Sequence, residues 1–182
     1  MVELEREKTY LLKELPADLG SCRYETISDA YIPASALHPV LRLRHRGYAH
    51  ELTKKEPLDG VDSSRQTEHT IKLTAEEAAA FDMVDAKRFV KRRYYCTVAG
   101  RPAELDLYQG DLAGLAVIDF EFDNDRDLDG FTMPAICLAD ITQEEGWAAG
   151  VLAGKTYADI SAALQKYGYE PLYVEDSEET KA

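Results

Sequence analysis

No run of apolar residues in this chain approaches the roughly 18 that a membrane-spanning helix needs, and Glu3, Leu4, Glu5 and Arg6 do not start a basic-then-apolar secretory leader. Membrane insertion and export are therefore not expected, and a cytoplasmic location is the default. Cysteine is scarce: Cys22, Cys96 and Cys137 lie far apart with no Cys-x-x-Cys pair. An odd, dispersed set fits reduced thiols better than a disulfide framework. His38, His45, His50 and His69 lack the helical spacing of a metalloprotease, so they are read as structural. Bases are outnumbered, with 21 Lys and Arg against 34 Asp and Glu and a formal net charge of -13. That balance argues against sequence-independent binding to duplex nucleic acid, whose affinity comes from neutralising phosphates. No internal repeat is present.

What remains is a chain of 182 residues, 45% hydrophobic and 30% charged, long enough for one domain with a sizeable core. Alternation of apolar and polar residues predicts strands over 3–12, 23–32, 40–46, 48–55, 65–73, 88–98, 103–108 and 115–122. Gly47 turns the third into the fourth as a hairpin. Thr74 followed by Glu77 is a capping box opening a helix through Met83, 123–129 reads as an acidic loop, and 143–152 and 157–167 read as helical, with Gly168 as C-cap. The expected architecture is α+β, dominated by an antiparallel barrel of about eight strands with peripheral helices. Residues 1–170 form the domain, and 171–182, with Glu175, Asp176, Glu178 and Glu179, form an acidic tail.

The charges are not evenly mixed. Like charges recur at every second position in Glu5 and Glu7, in Arg42, Arg44 and Arg46, in Glu104 and Asp106, and in Asp119 and Glu121. Side chains two apart on a strand share a face, about 6 to 7 Å apart, and repel by roughly 2 to 3 kcal/mol at an effective dielectric near 20. Water screens that on an exposed face, and a single such strand is most simply a solvated one. Several in one short chain, grouped by sign, point to a closed barrel with a polar lumen. Inside it, carboxylates suit magnesium or manganese, and arginine forks and lysine ammoniums suit phosphate oxygens. Chemistry that satisfies both sets is metal-assisted attack of water on a triphosphate.

The ordered set of these strands resembles the CYTH family of triphosphate tunnel metalloenzymes. Glu5-Arg6-Glu7-Lys8-Thr9 is similar to its opening Glu-x-Glu-x-Lys strand, with Thr9 at the lysine position. Leu41-Arg42-Leu43-Arg44, Leu52-Thr53-Lys54-Lys55, Lys91-Arg92-Arg93-Tyr94, Ala103-Glu104-Leu105-Asp106 and Ile118-Asp119-Phe120-Glu121 follow in family order, and Glu68 fits an acidic position on the fifth strand. The resemblance implies an eight-stranded tunnel that hydrolyses a small-molecule triphosphate, with Mg2+ or Mn2+ as cofactor. It places the metal on Glu5, Glu7, Asp119 and Glu121 with Glu104 or Asp106, and phosphates on Arg42, Arg44, Lys55, Lys91 and Arg93. Glu5, Glu7, Arg44 and Lys91 would be catalytic, and Lys8 or Lys72 would replace the charge missing at Thr9. An adenylate cyclase of the same family and a noncatalytic polyphosphate or nucleotide binder are the alternatives, and both monomer and homodimer stay open. Three features carry no chemistry. Gly154-Lys155-Thr156 fails the P-loop spacing, since Ala149 stands where its first glycine belongs. Tyr94, Tyr95 and Tyr108 on strands, and Trp147, are read as packing residues.

Overall fold

Residues 2–36 and 41–174 are described by the computed structural model of the chain. Among the described residues nine strands form: β1 (Val2–Leu12), β2 (Arg23–Ile32), β3 (Leu41–Arg46), β4 (Ala49–Pro57), β5 (Arg65–Leu73), β6 (Lys87–Val98), β7 (Arg101–Tyr108), β8 (Ala116–Glu121) and β9 (Cys137–Asp140). Four short helices accompany them: α1 (Ala75–Asp82), α2 (Asp125–Asp129), α3 (Ala149–Leu152) and α4 (Tyr157–Gln165). Hydrogen bonding runs β5-β4-β3-β2-β6-β7-β8-β1, and β1 returns to β5, so eight antiparallel strands close a barrel without free edges. Closure uses the first half of β1, from Val2 opposite His69 to Arg6 opposite Arg65. Past that point β9 takes over the same edge, with Tyr10 opposite Asp140.

The eight predicted strands are those of the barrel; Val40, the expected start of the third, lies outside the described residues. The hairpin at Gly47 forms with a φ of 57°, a left-handed conformation that glycine adopts without strain. Thr74 caps α1 as expected, its hydroxyl accepting from the Glu77 N–H at 3.2 Å while the Glu77 carboxylate accepts from the Thr74 N–H at 2.8 Å. Thr156 makes the same box with Asp159 at the start of α4, so Gly154-Lys155-Thr156 is a helix entry.

Three expectations need correction. The acidic stretch at 123–129 contains α2, because the Asn124 side chain accepts from the Asp127 N–H and nucleates a turn. The helix expected over 143–152 is broken into a 3-10 turn, Glu145–Trp147, and α3. Two of the three cysteines are not reduced: Cys22 and Cys96 form a disulfide, with Cα atoms 5.4 Å apart, and buried Cys137 is free. The pair flanks Arg23 opposite Tyr95 at the end of the β2–β6 ladder, a proximity that a separation of 74 residues conceals.

Alternation sends apolar side chains to three places. Tyr10, Leu105, Ile118 and Phe120 on the outer face of β1, β7 and β8 are covered by Leu128 and Phe131; replacing a phenylalanine packed this way by alanine costs about 3–5 kcal/mol. Leu43 and Ala30 lie beneath Ala78 and Phe81 of α1. Leu11, Tyr31, Phe89, Tyr108 and Val117 sit on the same strand faces as the charged residues, and they pack with Trp147, Leu152, Ile160 and Leu164. This last cluster fills one end of the barrel. Its tyrosine and tryptophan are packing residues as expected: Tyr108 stands edge-on to Phe89 and Trp147 to Tyr167. Residues 171–172 still belong to the packed chain, since the Leu172 N–H donates to the Gly114 carbonyl at 3.0 Å. The acidic residues from Glu175 onward lie outside the described residues. Among the described residues no helix is long and apolar enough to cross a membrane.

Candidate functional site

The inner faces of the strands line a cavity of about 1510 Å³. All twelve predicted site residues reach it: Glu5 and Glu7 from β1, Arg42 and Arg44 from β3, Lys55 from β4, Lys72 from β5, Lys91 and Arg93 from β6, Glu104 and Asp106 from β7, and Asp119 and Glu121 from β8. Thr9 and Glu68 line it as well.

Strand register distributes the charges. Directly opposed residues on antiparallel neighbours are cross-strand partners, favourable for opposite charges and unfavourable for like ones. Going round the barrel, Asp29 faces Arg44, Lys55 faces Glu68, and Arg93 faces Asp106. At β7, β8 and β1 the rule reverses. Glu104 faces Asp119, and Glu121 faces Glu7. One wall of the cavity therefore alternates signs and the other is acid against acid.

On the mixed wall the pairs are tight. Arg44 donates from Nε and Nη2 to the two oxygens of Asp29 at 2.8 and 2.7 Å, and the Asp29 side chain is 0% exposed. Burial opposes ionisation of Asp29, but Arg44 outweighs it and holds the carboxyl well below its ordinary range. Asp106 accepts from Lys91 Nζ at 2.5 Å and from Arg93 Nε and Nη2 at 2.7 and 2.6 Å. Against the cost of burial, those two cations lower its pKa to about 2. Arg93 also bonds Glu104 and reaches Asp119 at 3.3 Å.

The acidic wall is under-compensated. Burial and the neighbouring Glu7 charge push Asp119 up to about 7, although the Thr9 hydroxyl donates to it at 2.7 Å. Burial, opposed by Lys55 and assisted by Glu7, raises Glu5 to about 7. Glu121 is raised by burial and then by Glu104 and Glu7. Besides Arg93, Lys55 serves this side: it pairs with Glu5 and stands 3.6 Å from both Glu7 and Glu68. A raised carboxyl pKa means that an added positive charge lowers the energy of the site.

Among the described residues no three His, Cys, Asp or Glu side chains are grouped closely enough to hold a metal ion as they stand. The donor set itself suits a hard divalent cation: Glu5, Glu7, Asp119 and Glu121 offer only oxygen, in surplus over their counter-charges.

Asp29 is the principal residue that sequence reasoning missed. Its signal was weak: on its face of β2 it follows Arg23, Glu25 and Ile27 and precedes Tyr31, so no run of one sign marks it. Asp29 lies buried behind Arg44; Glu51 and Thr53 on β4 line the cavity itself, and Thr53 shares a hydrogen bond with Thr70 at 3.0 Å. Glu51 had no motif to mark it, and Thr53 stood within Leu52-Thr53-Lys54-Lys55 with no charge to single it out.

Several solved structures superpose on the barrel. A crystal structure of the inorganic triphosphatase NE1496 is 22% identical, with a TM-score of 0.60 over 83% of this chain and 95% of that one. A second crystal structure of NE1496 gives 21% identity and the same TM-score over 84% and 99%. This chain has their fold. A candidate adenylate cyclase from Bacillus halodurans shares the tunnel barrel at 12% identity, with a TM-score of 0.52 over 97% of this chain and 96% of that one. No family model and no curated protein matches the sequence.

Proposed function

We propose that this chain is a metal-dependent triphosphatase that hydrolyses a small-molecule triphosphate inside its barrel. The observation that carries the reading is the division of one cavity into an acid-against-acid wall at β7, β8 and β1 and a cation-bearing wall at β3, β4 and β6. A polyanion alone would be repelled by the first wall, and a cation alone would leave the arginines and lysines of the second without an added anion. Together they neutralise both.

Arg42, Arg44, Lys55, Lys72, Lys91 and Arg93 would hold the phosphate oxygens. Arg44 and Arg93 arrive pre-oriented, because Asp29 and Asp106 fix their guanidinium planes. As Lys55 moves to a phosphate, Glu5 and Glu7 are freed and, with Asp119, Glu121 and Glu104, take the cation. Asp106, already bonded to Lys91 and Arg93, acts mainly as their counter-charge. Bound Mg2+ or Mn2+ would supply a Lewis acid that draws negative charge from the phosphates. A carboxylate of this wall that is not engaged with the cation would orient the attacking water. Attack in line on the terminal phosphorus then breaks the phosphoanhydride bond and yields orthophosphate and a diphosphate.

Inorganic tripolyphosphate is the first substrate to try, being the simplest ligand with this charge and the one suggested by the shared fold with NE1496. Phosphate release should require Mg2+ or Mn2+ and fall at least 100-fold in Glu7→Gln and Arg44→Ala, by analogy with losing one electrostatic contact to the reacting group. A second reading, a binder without turnover, is favoured by Thr9, whose hydroxyl is spent on Asp119 where the family motif has a lysine. Binding of tripolyphosphate without phosphate release would select it, and cyclic AMP formed from ATP would select a cyclase. Rate gain in Thr9→Lys would show that the missing charge limits turnover.

A further inference from the structure

Away from the cavity, on the outer face of the barrel, the β3–β4 hairpin sets His45 directly opposite His50. Strand alternation sends their neighbours Arg44, Arg46 and Glu51 inward to the cavity, so the two imidazoles belong to a separate surface beside α1. Their Nδ1 atoms are 2.8 Å apart and their rings are inclined at 72°. Asp82, the last residue of α1, places Oδ1 3.2 Å from His45 Nε2. A carboxylate only accepts, so the proton of neutral His45 is on Nε2 and its Nδ1 carries a lone pair. The bond between the rings is then donated by His50 Nδ1. Arg88 steadies the arrangement, with Nη1 3.2 Å from the same Asp82 oxygen and Nη2 3.0 Å from the Asp82 carbonyl.

We propose that His45 and His50 form a binding site for one tetragonal transition-metal ion, Cu2+ or Ni2+, outside the tunnel. Imidazole nitrogens sit about 2.0 Å from such ions, so two in adjacent corners of a square plane are about 2.8 Å apart, whereas a tetrahedral ion spreads them to about 3.3 Å. The hydrogen bond between the rings sets their Nδ1 atoms 2.8 Å apart, a separation that an ion replacing the shared proton in a square plane would leave unchanged. Loading needs no net loss of a proton: the His50 proton moves from Nδ1 to Nε2, both rings turn their Nδ1 lone pairs to a common point, and waters complete the coordination. Asp82 acts through His45 as an outer-shell carboxylate that fixes the tautomer and raises the basicity of the ligating nitrogen. Nitrogen donors separate this site from the oxygen-lined cavity, which selects hard cations. The proposal therefore stands independently of the triphosphatase reading.

The test uses the full chain, stripped with a chelator, supplied with excess Mg2+ to occupy the carboxylates, and titrated with Cu2+. One equivalent should bind with an electron paramagnetic resonance spectrum of two imidazole nitrogens. His45→Gln and His50→Gln should each lose at least tenfold in affinity together with the two-nitrogen pattern. Asp82→Asn should weaken binding by about 10- to 100-fold while keeping that pattern, and His69→Gln should change nothing. Metal-free melting of each variant shows that it is folded. Absence of saturable binding by the unmodified chain, or binding that survives in both His45→Gln and His50→Gln, would overturn the proposal.

Discussion

Asp29→Asn removes one charge from a fully buried ion pair while keeping the side chain's shape. In the native barrel the carboxylate accepts two charge-assisted hydrogen bonds from Arg44, at 2.8 and 2.7 Å. Asparagine keeps one acceptor and turns N–H groups toward the guanidinium. Arg44 cannot discharge, and its surroundings include the charges of Arg93, Arg42 and Lys91. Breaking one side of such a pair costs about 3–5 kcal/mol; at 2–4 °C per kcal/mol for a chain of this size, melting should fall by roughly 10 °C. Replacing both partners, Asp29→Leu with Arg44→Met, should recover most of that loss, because the penalty is the uncompensated charge rather than the missing bond. Since the native Asp29 pKa lies below its ordinary 3.8, the pair's contribution is present above about pH 4 and fades as pH falls through the native value. Urea unfolding of the two single variants and the double variant measures the coupling directly. A cost below 1 kcal/mol for Asp29→Asn, or a double variant that is the sum of its singles, would refute the argument.

The acidic wall predicts the opposite pH trend at higher pH. Glu5 and Asp119 rise from ordinary values of 4.5 and 3.8 to about 7 in the folded chain, so the native state binds more protons than the unfolded one between those limits. Metal-free stability should fall as pH rises from about 4.5 to 7, by about 3 kcal/mol for Glu5 alone, and level off above. A urea midpoint higher at pH 8 than at pH 5 contradicts this, and Glu5→Gln should flatten the slope. Closing a chain segment of 74 residues between Cys22 and Cys96 is worth about 4 kcal/mol in the chain-entropy picture. Reductant should therefore lower the melting midpoint, and Cys22→Ser should lower it equally while abolishing any further effect of reductant; equal midpoints with and without reductant would count against the bond.

Alternation is a local property, and so the strands, their inward faces and twelve of the charged residues that line the cavity were legible from sequence. The capping boxes at Thr74 and Thr156 are local too, the first plain from Thr74 and Glu77 and the second overlapping the P-loop-like Gly154-Lys155-Thr156. β9 was missed because four residues, Cys137–Asp140, are too few to show a period. The break at Glu145–Trp147 escaped because an apolar helical pattern is the same for one helix and for two short turns.

Which acids face acids and which face bases was beyond the sequence, because register between strands is set by hydrophobic burial and turns around the whole closed barrel. Alternation alone places Asp106 and Asp119 alike, as inward carboxylates on late strands. Tertiary pairing separates them: Asp106 meets two cations and falls to about 2, while Asp119 lies between Glu104 and Thr9, near Glu7, and rises to about 7. The pairings of Asp29 with Arg44, Cys22 with Cys96 and His45 with Asp82 belong to the same category. The sequence by itself determined which side chains point into the barrel, since that depends on parity along a strand. Only the folded structure decided the state of each charge, since that depends on which distant residue the ladder sets across from it.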